Sequence, residues 1–247
     1  MATGAQPTGA TDEQTSAQAV REMFDSIAPR YDLLNHVLSL NVDRIWWWRT
    51  ARRFRHILTR PEAKILDICC GTGDMTRALL KHRPAKAQPI VAGDFSHQML
   101  VRANAKLARH NAVTIEADAL HLPLATGSLN LITTAFGFRN LANYRAGLEE
   151  FFRVLAPGGE LGILEFSDPP GTLGQVYSFY FRRILPAIGS RISGTHGPYA
   201  YLPTSVERFP APAELQDLMR RVGFTNISWK PFSFGISGLY RAVKPGA

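Results

Sequence analysis

Asp67-Ile68-Cys69-Cys70-Gly71-Thr72-Gly73-Asp74 decides the reading of this chain. The run Ile65-Leu66-Asp67-Ile68 has the length and apolar character of a buried strand, and a helical period follows the second glycine. Gly71 and Gly73 let the backbone turn sharply and let a ligand approach without a Cβ in the way. Free N–H groups at the start of the next helix then hold polar groups. A strand, a Gly-x-Gly turn and a helix in this order form a cofactor loop.

Further apolar runs repeat the pattern downstream: Ile90 to Asp94, Val113 to Asp118, Leu129 to Thr134 and Glu160 to Phe166. Helical periods separate most of them; Leu148, Phe151, Phe152 and Leu155 mark the clearest, stopped by Pro157-Gly158-Gly159. A last helix over Ala213 to Val222 precedes two close runs, Phe224 to Lys230 and Phe234 to Val243, which suit an antiparallel pair at the sheet edge. Alternating strands and helices predict an α/β fold of Rossmann-like type. Its sheet is mostly parallel and seven-stranded, with helices on both faces. Upstream, Val20, Met23, Phe24 and Ile27 share one helical face, Leu33, Leu34, Val37 and Leu38 suit a second helix, and a third runs from about Val42 to Leu58. Residues 1–15 carry almost no large apolar groups and are expected to be disordered. Residues 16–247 then form one domain, with a helical cap over 16–60 and an aromatic-rich insertion at about 168–210.

The acids select the cofactor class. A dinucleotide loop wants a third glycine, where this chain has Thr76, and Asp74 at the helix start repels a pyrophosphate but suits a cationic sulfonium amino acid. Asp94 ends the next strand, where a carboxylate accepts both ribose hydroxyls. Asp118-Ala119 ends the third, where an acidic side chain meets the adenine amino group. Ligands of open α/β sheets bind at those strand ends. The expected cofactor is S-adenosyl-L-methionine. A nicotinamide-dependent oxidoreductase is the rival enzyme class.

Composition bounds the rest. The 247 residues hold only two cysteines, the adjacent Cys69 and Cys70, so no disulfide framework or metal clip exists. None of the seven histidines has ligand-like spacing to another, and no metal is expected. The net charge of +8 favours anionic partners, either nucleic acid or an acidic membrane surface. An RNA methyltransferase is disfavoured, since no RNA-binding module is recognisable and the fourth strand is followed by Phe136-Gly137-Phe138-Arg139 in place of an Asn/Asp-Pro-Pro-aromatic segment. No apolar run approaches the length of a membrane span, and the expected place is the cytoplasm, peripherally at the inner face of the cell membrane.

Several segments carry a resemblance. They are Met23-Phe24-Asp25-Ser26-Ile27-Ala28-Pro29-Arg30-Tyr31-Asp32 with Asn35-His36-Val37-Leu38-Ser39; the Cys70-Gly71-Thr72-Gly73-Asp74 loop; Phe136-Gly137-Phe138-Arg139-Asn140; Arg153 to Gly159; Leu164-Glu165-Phe166-Ser167; and Tyr199-Ala200-Tyr201-Leu202-Pro203-Thr204-Ser205. With these the chain resembles the menaquinone/ubiquinone-biosynthesis C-methyltransferase family, and the Phe-Gly-x-Arg-Asn and Tyr-x-Tyr-Leu-Pro segments are the most specific to it. The resemblance implies methylation of a ring carbon of a prenylated quinol, demethylmenaquinol first and a methoxybenzoquinol as the alternative. It implies cofactor contacts from Thr72, Asp94, Asp118 and Ala119, beside Asp67, Gly71 and Gly73 of the loop. The chain departs from the family at Ala135, where a serine is common, at Cys69, and at the triple Trp46-Trp47-Trp48.

Four residues are candidates for the chemistry. Arg139 is placed to stabilise a phenolate and Asn140 to orient a ring oxygen. Tyr31 is a wall or proton-relay residue, and His196 a candidate base. Arg139 has the alternative of pairing with a carboxylate to hold its loop. The aromatic segment 173–193 suits a prenyl tail or an anionic membrane surface. Nucleic acid is not an expected partner, and a homodimer is left open.

Overall fold

The computed structural model describes residues 4–7, 9–31, 41–167, 169 and 197–246. Helices α1 (Glu13–Ile27), α2 (Val42–Arg53) and α3 (Arg55–Leu58) precede the first strand. Then come β1 (Ile65–Ile68), α4 (Asp74–Leu80), β2 (Ile90–Asp94), α5 (His97–Leu107), β3 (Ala112–Glu116), β4 (Leu129–Ala135), α6 (Tyr144–Val154) and β5 (Leu155–Phe166). Helices α7 (Gly197–Arg208) and α8 (Pro212–Val222) lead to β6 (Thr225–Phe232) and β7 (Ser237–Val243).

The seven strands form one sheet in the order β3-β2-β1-β4-β5-β7-β6. β1 to β5 pair in parallel, while β7 runs antiparallel between β5 and β6. All four residues of β1 are buried, as a central parallel strand with helices on both faces requires. From β1 the chain winds outward through β2 to β3, then returns to place β4 on the other side of β1. That reversal is the topological switch point, and the crevice beyond the C-terminal ends of β1 and β4 is where such a sheet binds its ligand.

Beside a small cluster of Leu100, Ala103 and Leu107 of α5 on Ala92 of β2, two larger apolar clusters hold the helices to the sheet. One joins Leu148, Phe151 and Val154 of α6 and Leu215 and Met219 of α8 to β4, β5 and β7. The other joins Trp46, Ala51, Phe54 and Leu58 to Ile65, Leu131, Leu164 and Leu239. The single helix expected over 42–58 is broken at Phe54, whose φ of −104° leaves the helical range. The Phe54 ring is fully buried against Gly162, where an added Cβ would meet ring carbons at 2.5 Å. The tryptophans divide as three consecutive helical positions must: Trp46 is buried, Trp47 half-buried and Trp48 exposed.

The described residues upstream of α1 make contacts of their own. Asp12 caps α1, its carboxylate accepting from the Thr15 N–H at 2.8 Å. Further upstream the Ala5 N–H donates to the Leu141 carbonyl at 2.8 Å, and the Ala5 carbonyl accepts from the Ser16 hydroxyl. Small polar residues lack apolar periodicity, but their backbone groups still find partners on the folded body.

Candidate active site

A cavity of about 680 Å3, counting its open mouth, lies at the switch point. β1 delivers Cys69 and Gly71, β2 delivers Asp94 and Phe95, the loop after β3 delivers Asp118 and Ala119, and the turn after β4 delivers Phe136, Gly137 and Asn140. Helix α1 closes it from above with Ala17 and Phe24, and Tyr31 follows them.

Asp94 is the electrostatic centre. Its carboxylate accepts from the Gly71 N–H at 2.8 Å and the Ser96 N–H at 2.9 Å. Burial outweighs these bonds and raises its pKa to about 6. The Phe95 N–H also bonds it; the lone pairs left free face the cavity and can accept ribose hydroxyls. Asp118 takes the Leu120 N–H on Oδ1 at 2.9 Å, and the apolar groups Ala117, Ala119, Leu120 and Met99 flank it. A diol acceptor beside a flat apolar slot with an acidic edge fits a nucleoside.

The glycine loop works partly from beneath. Gly71 has φ +54° and Gly73, the N-cap of α4, has φ +91°, the left-handed conformations that glycine adopts freely. Asp67 does not line the cavity. Its carboxylate accepts from the Thr76 and Thr133 hydroxyls at 2.6 and 2.8 Å, tying α4 and β4 to β1, and burial raises its pKa to about 6. Thr72 is buried, and its hydroxyl accepts from Lys106 at 2.8 Å. Lys106 also pairs with Asp74 at 3.0 Å. The suggestion that Asp74 serves a cationic ligand is therefore corrected: Lys106 already balances it, and Asp74 is absent from the cavity wall.

The candidates for chemistry separate. Asn140 and Tyr31 line the cavity. The Asn140 amide nitrogen reaches the Phe136 carbonyl at 3.4 Å, while its buried Oδ1 has no partner among the described residues. Arg139 does not line the cavity. Its guanidinium pairs with the fully buried Glu165 at 3.0 Å and also donates to the Phe136 carbonyl and, at 3.3 Å, to Ser205. Glu165 further accepts from the Arg139 N–H at 3.0 Å. The carboxylate pairing that the sequence offers as the alternative for Arg139 is present, and it holds the turn that presents Phe136 and Asn140. His196 and the segment 173–193 lie outside the described residues.

Sequence reasoning missed the roof and one wall. Asp25 of α1 accepts from the Ser96 hydroxyl and, at 3.3 Å, from the Gln98 N–H, while Arg21 donates to the Phe95 carbonyl at 2.7 Å. These bonds pin α1 across the cofactor end. Their signal was present in the Met23-Phe24-Asp25 segment, but only the apolar face of that helix was read. Phe136, at φ +59°, stacks near Phe166 at 4.4 Å and Trp46 at 5.8 Å between centroids, making an aromatic wall. Cys69, at φ +56°, has its thiol pKa pushed up by burial and then by Asp94, so it stays a neutral packing group.

The sequence model of the ubiE/COQ5 methyltransferase family matches residues 11–244. A demethylmenaquinone methyltransferase of Deinococcus radiodurans is 46% identical over 232 residues, covering 93% of this chain and 94% of its own. One from Thermus thermophilus is 45% identical, covering 90% and 100%. A ubiquinone/menaquinone biosynthesis C-methyltransferase of Geobacter sulfurreducens is 39% identical, covering 92% and 89%. Among solved structures, a SAM-dependent methyltransferase from Thermotoga maritima superposes with a TM-score of 0.63 at 17% identity, covering 91% and 99%. That likeness shows the fold.

Proposed function

Because the chain belongs to the ubiE/COQ5 methyltransferase family, we propose that it methylates a ring carbon of demethylmenaquinol at the cavity beneath α1, with S-adenosylmethionine as methyl donor. The observation that carries the reading is the pairing, in one cavity, of a buried carboxylate suited to a ribose with a buried, unpartnered Asn140 Oδ1. The names of the Deinococcus and Thermus relatives supply the substrate.

In this reading Asp94 takes the ribose hydroxyls, Asp118 the adenine amino group, and Ala119 and Met99 the adenine faces. Bound there, S-adenosylmethionine supplies an electrophilic methyl group. The protein's remaining work is alignment and exclusion of water. Asn140 Oδ1 accepts a hydrogen bond from a quinol hydroxyl, which fixes the ring and satisfies an acceptor otherwise costly to bury. Tyr31 and Phe136 flank the ring, and Arg139 acts as a positioning residue through Glu165.

The Geobacter relative's name favours a second reading, in which a benzoquinol is also accepted. Methyl transfer from labelled S-adenosylmethionine to each quinol under reducing conditions separates the two. Label on the naphthoquinol alone supports the first, label on both the second, and label on neither, with cofactor bound, refutes both.

A further inference from the structure

Helix α2 reads Val42-Asp43-Arg44-Ile45-Trp46-Trp47-Trp48-Arg49-Thr50-Ala51-Arg52-Arg53. Its buried side carries Trp46, Thr50 and Ala51. Ile45, Trp48, Arg49 and Arg52 recur at helical spacing on the opposite, exposed side. Ile45 is 49% exposed and Trp48 47%. The turn between β6 and β7 lies beside them, since the Trp46 indole donates to the Ser233 hydroxyl at 2.8 Å and the Arg49 guanidinium stands 5.7 Å from the Phe232 ring centre. At that turn Phe234 is 81% exposed. One exposed apolar side chain is ordinary, but three large ones on one face mark an interaction site.

Along α2 and α3 the exposed charge among the described residues is basic. Arg44, Arg49, Arg52 and Arg53 of α2 and Arg55 of α3 are all exposed, and no acidic residue occurs between Asp43, which is buried, and Glu62. Glu160, the acid nearest α3 among the described contacts, is taken by His56 and Arg241. Neighbouring His82 registers the crowding: burial lowers its pKa first, and Arg55, Arg52 and Lys81 lower it further. The Arg52 guanidinium lies over the Trp48 ring at 5.4 Å, so cation and aromatic share the exposed face. An aromatic face with a basic rim is complementary to the boundary between acyl chains and anionic headgroups.

From this we propose that the exposed face of α2, with the turn bearing Phe234, docks the protein on an anionic lipid bilayer. Beneath the face, Trp46 meets Phe136 of the cavity wall at 5.8 Å and Phe166 at 6.0 Å. Docking there brings the aromatic wall of the cavity to the bilayer side, where a substrate with a prenyl tail resides. Only this last step rests on the proposed substrate; the docking itself does not.

The test is flotation of the full chain with vesicles, without quinol. Vesicles of phosphatidylcholine alone are compared with vesicles containing about one third phosphatidylglycerol, since each basic residue near such a surface is worth about fivefold in binding. The protein is expected to float with the anionic vesicles only, less so as salt rises. Arg49→Gln with Arg52→Gln should weaken partition about 30-fold, and Trp48→Ala about tenfold. Unchanged S-adenosylhomocysteine affinity certifies that the variants are folded. Equal binding to neutral vesicles, or full binding by these variants, overturns the proposal. So does failure of the folded protein to float, or a dimer that dissociates in Trp48→Ala without vesicle binding, which would assign the face to self-association. None of these outcomes depends on which quinol is methylated.

Discussion

Breaking the Arg139–Glu165 pair should cost the protein its fold stability before it costs any chemistry. The two side chains are 7% and 0% exposed, and Glu165 also accepts from the Arg139 and Phe166 N–H groups at 3.0 and 3.1 Å. Arg139→Met leaves that carboxylate without its counter-charge, and Glu165→Gln leaves the guanidinium buried with only neutral oxygens. Removing one partner of a buried pair costs about 3–5 kcal/mol. For a chain of this size each kcal/mol moves the midpoint by roughly 2–4 °C, so each variant should melt about 6–20 °C lower. The double variant should lose less than the sum of the two, because no charge is left stranded. Thermal unfolding of the four proteins measures this cycle, and turnover should fall in step, since the turn they hold carries Phe136 and Asn140. An Arg139→Met protein that melts within about 2 °C of the parent and binds cofactor normally, yet has lost turnover, would refute the positioning role and restore direct contact with the substrate.

The remaining predictions follow from burial and charge. Asp94 must be ionised to accept two ribose hydroxyls, and its pKa is raised to about 6. Cofactor affinity measured by titration calorimetry should therefore hold above pH 6 and weaken up to about tenfold per unit below it, a dependence that Asp94→Asn abolishes along with most of the affinity. Asp67 is raised from 3.8 to about 6 by burial, so its folded form binds protons more tightly than its unfolded form. Its contribution is fully present below the unfolded value and is lost as pH rises through about 6. Denaturant unfolding should show Asp67→Asn gaining about 3 kcal/mol on the parent between pH 4 and pH 7. At Gly137 an added Cβ would stand 2.3 Å from that of Cys69, so Gly137→Ala should cost about 1–3 kcal/mol and weaken cofactor binding by displacing the turn after β4. Asn140→Leu should lower turnover at least about tenfold with cofactor affinity nearly unchanged, in a single-turnover assay.

The sheet was legible because its strands announce themselves. Ile65-Leu66-Asp67-Ile68 and Ile90 to Asp94 are apolar runs closed by acids, and a parallel sheet buries both faces of such runs. That Asp94, Asp118 and Ala119 line the cavity follows the same logic, since strand ends point at the crevice. Asp67 reads as a ligand group because it shortly precedes a glycine loop, and its bonds to two threonine hydroxyls nine and sixty-six residues away leave no local signal. For Arg139 the sequence left two readings, substrate contact or carboxylate pairing, because its partner Glu165 comes from β5 and pairings between distant segments leave no local periodicity. The roof over the cavity was hidden in plain sight, because α1 was read for its apolar face while its polar residues Arg21 and Asp25 make the bonds that seat it. The turn at Phe136 and the break at Phe54 depend on left-handed or bridging backbone at aromatic residues, which composition disfavours and only the folded packing explains.

The most direct test of the account is to supply S-adenosylmethionine carrying a carbon-13 methyl group together with reduced demethylmenaquinone, and to read the product by carbon-13 NMR. The account predicts a labelled methyl resonance at the shift of an aromatic ring methyl, with one equivalent of S-adenosylhomocysteine formed. A labelled methoxy resonance would move the chemistry from carbon to oxygen and contradict it. So would absence of transfer from an enzyme shown to bind both ligands.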